Sequence, residues 1–179
     1  MQIDNDLSIN GVEWFYETLD SNPNLLDCVK NLIWVRPENV DIKDRSNSVC
    51  YLLSREQYEE MFLFVDSFVN ERMPFYLEKY KIPAVCYASI EALKYETGEH
   101  YVAHHDSGAK HVSNRVCSMV AYLNEDYEGG EIEFPLFNKK FKPSAGSVII
   151  FPSNYPYLHV VHPVKNGTRY ALNVFFSLC

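Results

Sequence analysis

From Pro83 onward the chain is cut into short apolar runs by turn-forming clusters, and few folds accept that punctuation. Residues 85–90 and 92–95 read as consecutive strands, residues 116–123 as a β-rich apolar run, and residues 126–130 as a turn. Ile132, Phe134 and Leu136 alternate with Glu131, Glu133 and Pro135, the period-two signature of a half-buried strand. A second turn at residues 143–146 precedes the run 147–151, and residues 170–176 make a last strand. Short strands at regular spacing with turns between them suggest a sandwich or jelly roll.

The front of the chain reads as helices. Residues 12–19 form a short amphipathic segment and residues 25–32 a second. The strongest signal follows Ser54, which stands at capping-box spacing from Gln57. Tyr58, Met61, Phe62, Val65, Phe68 and Val69 then recur at steps of three and four, a core-facing helical stripe. Pro74 lies beyond the stripe and predicts an end or a kink there. The expected class is α+β: a double-stranded β-helix (jelly roll) core over about residues 83–179, flanked by N-terminal helices over about residues 1–82. A chain of 179 residues is the size of one domain, and no linker or repeat divides it.

Composition narrows the function. Apolar residues at 47% and charged residues at 22% are ordinary for a globular protein, while 13 Tyr and 11 Phe favour strands and an aromatic-lined interior. The net charge of −8 disfavours nucleic acid, whose phosphates need Lys and Arg. Lys139, Lys140 and Lys142 read as a solvated hairpin tip. The five cysteines are odd in number and lack C-x-x-C spacing, so scattered core thiols in a reducing compartment are expected rather than disulfides or a Cys-rich zinc site. Asp4 and Asp6 sit where a signal peptide would be basic, and no run reaches the length of a membrane span. The expectation is a soluble, cytoplasmic protein with no membrane partner.

The chemistry-bearing residues begin with His104 and Asp106. On a strand, residues two apart share a face, and His105 would point away. One imidazole and one carboxylate give two ligands to a divalent metal, with His159 or His162 as candidates for the third. Two His and one carboxylate leave open positions on the metal, as in non-haem Fe(II) oxygenases. Arg169 stands in the apolar strand TRYALNVFF, where a buried guanidinium needs a carboxylate partner.

The setting of these residues adds a resemblance. Tyr95, Gly98, Tyr101, His104 and Asp106 follow one another as Y-x-x-G-x-x-Y-x-x-H-x-D. RVCSMVAYLN at residues 115–124 is similar to R-x-x-T-x-x-x-Y-L-N, with Ser118 in place of Thr. Gly129-Gly130-Glu131 with Phe134-Pro135, then PSAGSVIIFPS at 143–153 and HVVHPVKNGTR at 159–169, complete the series. Over about residues 83–176 the chain resembles the prolyl 4-hydroxylase branch of the Fe(II)- and 2-oxoglutarate-dependent dioxygenases.

The resemblance implies iron held by His104, Asp106 and His159, since only His159 has the motif's spacing to Pro163 and Arg169. It implies that Arg169 clamps the far carboxylate of 2-oxoglutarate, with Tyr122 donating to the same group, Ser118 on the same face by parity, and Tyr95 near the iron end. The assembled charges cancel, as a dry interior requires. Expected cofactors are Fe(II), 2-oxoglutarate and dioxygen, with ascorbate as reductant. The expected substrate is a proline in a peptide or protein. Another side chain, a free amino acid, or a non-catalytic jelly-roll binding module are the alternatives. Phe175 departs from the Trp often found near the peptide groove, and residues 106–114 are expected to form a mobile loop over the site.

Overall fold

The alternation that starts at Pro83 becomes a run of antiparallel strands in the computed structural model, which describes residues 9–16, 23–38, 40–108, 112 and 114–179. In chain order the elements are β1 (Glu13–Phe15), α1 (Pro23–Lys30), β2 (Ser48–Tyr51), α2 (Glu59–Tyr80), β3 (Val85–Tyr95), β4 (Tyr101–His104), β5 (Arg115–Tyr122), β6 (Glu128–Gly129), β7 (Ile132–Phe134), β8 (Lys139–Phe141), β9 (Val148–Pro152), β10 (His159–Val161), β11 (Val164–Asn166) and β12 (Arg169–Leu178). A 3₁₀ turn, Pro135–Phe137, separates β7 from β8.

The strands form two facing layers. One is a six-stranded sheet in the order β1-β9-β5-β12-β3-β2, and the other a four-stranded sheet in the order β4-β10-β7-β8. A two-stranded ribbon, β11-β6, closes one end. This is the jelly-roll arrangement that the strand spacing suggested, with α1 and α2 both preceding β3 in the chain.

Strand parity divides the large sheet into two chemistries. Ile90, Ala92, Cys117, Met119, Ala121, Ile150, Leu172, Val174 and Phe176 face α2, where Met61, Val65, Phe68, Val69, Met73 and Tyr76 cover them. The intervening residues point into the sandwich. There Val120, Tyr122, Ile149, Phe151 and Ala171 meet Ile132, Phe134 and Phe141 of the small sheet. Burial on both faces makes this sheet the frame on which the cavity residues are mounted.

Several local expectations are corrected. Residues 12–16, read as helix, contain the edge strand β1, because Glu13, Trp14 and Phe15 find ladder partners in Ile150, Ile149 and Val148; residues 17–19 of that segment lie outside the described residues. Residues 85–95 form one strand rather than two, held along its length by β12. Pro74 does not end α2, which continues to Tyr80. Met73 and Tyr76 on either side are buried to 4% and 0% exposure, and that packing offsets the lost backbone hydrogen bond. Ser54 does cap locally, its Oγ accepting from Gln57 N at 3.3 Å, but the regular helix starts only at Glu59. Lys142 is no part of a solvated tip: its ammonium donates to the carbonyl oxygen of Tyr127 and lies 4.5 Å from that ring's centre.

The cysteine reading is corrected as well. Cys86 and Cys179 form a disulfide with Cα atoms 5.2 Å apart and a sequence separation of 93. The antiparallel register of β3 and β12, which sets Ser177 opposite Cys86, brings the pair together. No spacing rule in the sequence could reveal a pairing that depends on tertiary register. Cys28, Cys50 and Cys117 are free, and burial pushes the Cys117 thiol up to about 12. Closing so long a loop restricts the unfolded chain, so Cys86→Ser is expected to cost about 2–4 kcal/mol. Urea unfolding of the variant beside the oxidised parent checks this, through a lower midpoint at similar slope.

Candidate active site

Two short strands of the small sheet carry the imidazoles. β4 and β10 pair so that His104 lies directly opposite His159, with a register shift before Val161 meets Tyr101. Such bulges re-aim side chains at sites. Asp106 follows two residues after β4 ends, outside regular strand, and its carboxylate still turns to the same point. Its Oδ1 is 3.6 Å from His104 Nε2 and 3.8 Å from His159 Nε2, and the three donor atoms fall within 4.8 Å of one another.

Hydrogen bonds behind the rings set which nitrogen faces inward. His104 Nδ1 is 2.8 Å from Val102 O and His159 Nδ1 is 3.1 Å from Tyr157 O. A carbonyl can only accept, so each Nδ1 carries the proton and each Nε2 offers a lone pair to the centre. Burial, with His159 as the next contribution, holds His104 well below the ordinary histidine range, so its neutral, ligating form is favoured. Tyr101 stacks on His104 with ring centres 3.4 Å apart, fixing the ring plane. Asp106 Oδ2 is buried without a hydrogen-bond partner. Two neutral imidazoles and a carboxylate with a spare oxygen suit a divalent transition metal. Their separations sit slightly above the ~3 Å expected between neighbouring ligands at bond lengths of ~2.1 Å.

The opposite layer supplies the other half. β12 starts at Arg169, whose side chain is 2% exposed. No carboxylate among the described residues pairs with it, and its Nε and Nη1 have no hydrogen-bond partner. The guanidinium carbon lies 5.0 Å from the Tyr95 ring centre and 5.1 Å from that of Tyr122. The hydroxyls of Tyr122 and Tyr127 are also buried, beside the guanidinium, without a well-aligned hydrogen bond. A buried guanidinium with no carboxylate beside it is costly unless an anion completes the site.

Between the two halves lies a cavity of about 880 Å³. Its floor is the large sheet, read in rungs. Tyr95 pairs with Arg169; Leu93 with Ala171 and Tyr122; Glu91 with Asn173 and Val120; Ser89 with Phe175. The last two rungs are the outer part, away from Arg169. There Glu91 is 3.2 Å from Arg115 Nη2 and 3.9 Å from Arg45 Nη2. Burial pushes the Glu91 carboxyl up, against the pull of both arginines. Arg115 also donates to Ser89 Oγ at 2.7 Å and to the Asp106 carbonyl oxygen at 3.3 Å, and lies over Phe175 at 3.6 Å.

The residues singled out by sequence fall into two groups. His104, Asp106 and His159 converge; Arg169, Tyr122 and Tyr95 converge; all six line the cavity. Ser118 does not: its hydroxyl is 2.8 Å from Ser153 Oγ, and it is fully buried off the cavity wall. His162 is engaged elsewhere, with Nε2 2.6 Å from Glu133 Oε2. Of the loop expected over the site, residues 109–111 and 113 lie outside the described residues, while Val112 and Asn114 line the cavity. Sequence reasoning missed Tyr127, which sat inside a turn cluster, and the Arg45–Glu91–Arg115 group, whose members come from the segment before β2, from β3 and from β5. For Arg115 the signal was its place at the head of the RVCSMVAYLN segment.

Comparison with known proteins agrees with this arrangement. Residues 90–177 match the family described as the 2OG-Fe(II) oxygenase superfamily. A protein of Acanthamoeba polyphaga mimivirus named as a prolyl 4-hydroxylase is 29% identical over 116 residues, covering 55% of this chain and 48% of its own. A PKHD-type hydroxylase of Prochlorococcus marinus is 43% identical over 77 residues, covering 41% of this chain and 34% of its own. The chain thus spans half or less of these relatives' length. Among solved structures, the prolyl hydroxylase of Trichoplax adhaerens in complex with a hypoxia inducible factor peptide superposes with a TM-score of 0.80 at 20% identity, covering 96% of this chain and 85% of that one; the likeness is one of fold.

Proposed function

We propose, from the match of residues 90–177 to the 2OG-Fe(II) oxygenase superfamily, that the chain is an Fe(II)- and 2-oxoglutarate-dependent dioxygenase that hydroxylates proline in a peptide. The observation that carries the reading is the buried, unpaired guanidinium of Arg169 with the Tyr122 hydroxyl beside it, set across one cavity from the His104–Asp106–His159 cluster. A dicarboxylate with a 2-oxo group fits both ends at once. Its far carboxylate would answer Arg169, whose planar fork suits it, and its keto-acid end would reach the metal ligands.

His104, Asp106 and His159 would hold the iron, and the iron when bound supplies the dioxygen activation that hydroxylation of an unactivated C–H bond requires. The chain's own residues position and shield. Val102 O and Tyr157 O hold the two imidazoles in the ligating tautomer. Arg115 steadies the Asp106 backbone. Burial of Arg169 and Tyr122 keeps water from the cosubstrate's far end.

A cavity of about 880 Å³ leaves room for a substrate well beyond the cosubstrate. On its outer side Arg45 and Arg115 offset Glu38 and Glu91, which suits an uncharged residue such as proline within a peptide. The mimivirus relative named as a prolyl 4-hydroxylase and the peptide-bound Trichoplax structure point to the same substrate class.

The test is anaerobic addition of Fe(II) and then 2-oxoglutarate to metal-free protein. The visible charge-transfer band of the chelated keto acid is expected. Metal binding without the band removes 2-oxoglutarate from the reading. Proline-containing peptides are then expected to gain one oxygen with formation of succinate; oxygen added only to peptides without proline would move the substrate to another side chain.

A further inference from the structure

Tyr127 is 4% exposed and stands beside Arg169, yet Arg169 lines the cavity and Tyr127 does not. The residue is held from three sides. At Gly130, with φ +63°, an added Cβ would come 3.0 Å from Tyr127 Cε2 and 3.1 Å from Arg169 Cδ, so the residue wedged between the two can have no side chain. At Gly167 a Cβ would meet the Tyr127 Cα and Cβ at 3.1 and 3.2 Å. Lys142 covers the ring at 4.5 Å and donates to the Tyr127 carbonyl oxygen.

A ring fixed this firmly carries a buried hydroxyl that makes no well-aligned hydrogen bond, within hydrogen-bonding reach of a guanidinium whose Nε and Nη1 are likewise unsatisfied. A guanidinium can only donate, so a phenol can serve it only through the lone pairs of its oxygen. We propose that Tyr127 is a positioning residue for the clamp: its phenol oxygen receives one N–H of Arg169 and so turns the remaining N–H groups toward the far carboxylate of the cosubstrate. This rests on the 2-oxoglutarate reading above. It makes Tyr127 a determinant of how strongly the site demands a second carboxylate.

Tyr127→Phe removes the oxygen and keeps the ring contacts with Gly130 and Lys142 and the close approach of Gly167 to Cα and Cβ. The experiment is anaerobic titration of the Fe(II) protein, parent and variant, with 2-oxoglutarate and separately with 2-oxopentanoate, the same carbon chain without the far carboxylate. Affinities are read from the charge-transfer band, and thermal unfolding without ligand is recorded beside them. The expected result is about tenfold weaker 2-oxoglutarate binding, the scale of one hydrogen bond to a charged group, with unchanged 2-oxopentanoate affinity and an unchanged unfolding midpoint. Unaltered 2-oxoglutarate affinity overturns the proposal. Equal weakening of both acids, or a lowered midpoint, overturns it in favour of a purely structural Tyr127. Absence of the band in the parent protein is a separate outcome, seen before any variant is made, and it overturns the cosubstrate reading together with this one.

Discussion

Asp106→Ala is expected to abolish turnover while leaving the unligated fold as stable as the parent. The carboxylate is 8% exposed, its Oδ2 has no partner, and among the described residues its Oδ1 faces the Nε2 atoms of His104 and His159. Both rings carry their protons on Nδ1, so neither donates to that oxygen. A buried charge in this state opposes folding, and its removal is expected not to lower the thermal midpoint of the metal-free protein. The metal-dependent part of stability should disappear instead. Parent protein is expected to gain several degrees with saturating Fe(II) under argon, because a ligand that binds only the folded state adds RT ln(1 + [L]/Kd). The variant is expected to gain nothing. His159→Ala should behave alike toward the metal. Iron-dependent turnover surviving in either variant would overturn the ligand assignment.

Arg169→Met separates cosubstrate binding from folding in the same way. The guanidinium is 2% exposed and has no carboxylate partner among the described residues. Methionine approximates its length without its charge, and replacing an uncompensated buried ion with an apolar residue of similar volume is neutral or stabilising. Unfolding of the metal-free variant is therefore expected at or above the parent midpoint. Affinity for 2-oxoglutarate should fall by about 2–5 kcal/mol, the cost of removing one partner from a buried charge pair. Titration of the charge-transfer band measures it, and an unchanged affinity would place the far carboxylate elsewhere. Arg169→Lys is expected between the two, since it keeps the charge and loses the bidentate fork.

The strands were legible because their side chains are sorted by parity. Val120 and Tyr122 face the cavity while Met119 and Ala121 face α2, and that division is written in the local pattern. His104 and Asp106 were legible for a related reason, although Asp106 lies past the end of β4 and strand parity alone does not account for its aim. The misreadings share a cause. β1, the continuation of α2 through Pro74 and the Cys86–Cys179 link each depend on a partner far away in sequence: β9, the large sheet and the register of β3 with β12. Tyr127 escaped notice because a tyrosine in a turn carries no local sign of its neighbour; only the approach of Arg169 across Gly130 gives it meaning. Ser118 had the right parity but too short a side chain, and Ser153 met it first.

The two halves of the site belong to different layers of the sandwich. The metal ligands hang from or just beyond β4 and β10 of the small sheet, and Arg169 and Tyr122 from β12 and β5 of the large one. A molecule chelated at one end and clamped at the other would therefore tie the two sheets together across the cavity. Loading the site would brace the domain across the sandwich. Slowed amide exchange is then expected in β10 and β12 together, two strands that share no ladder.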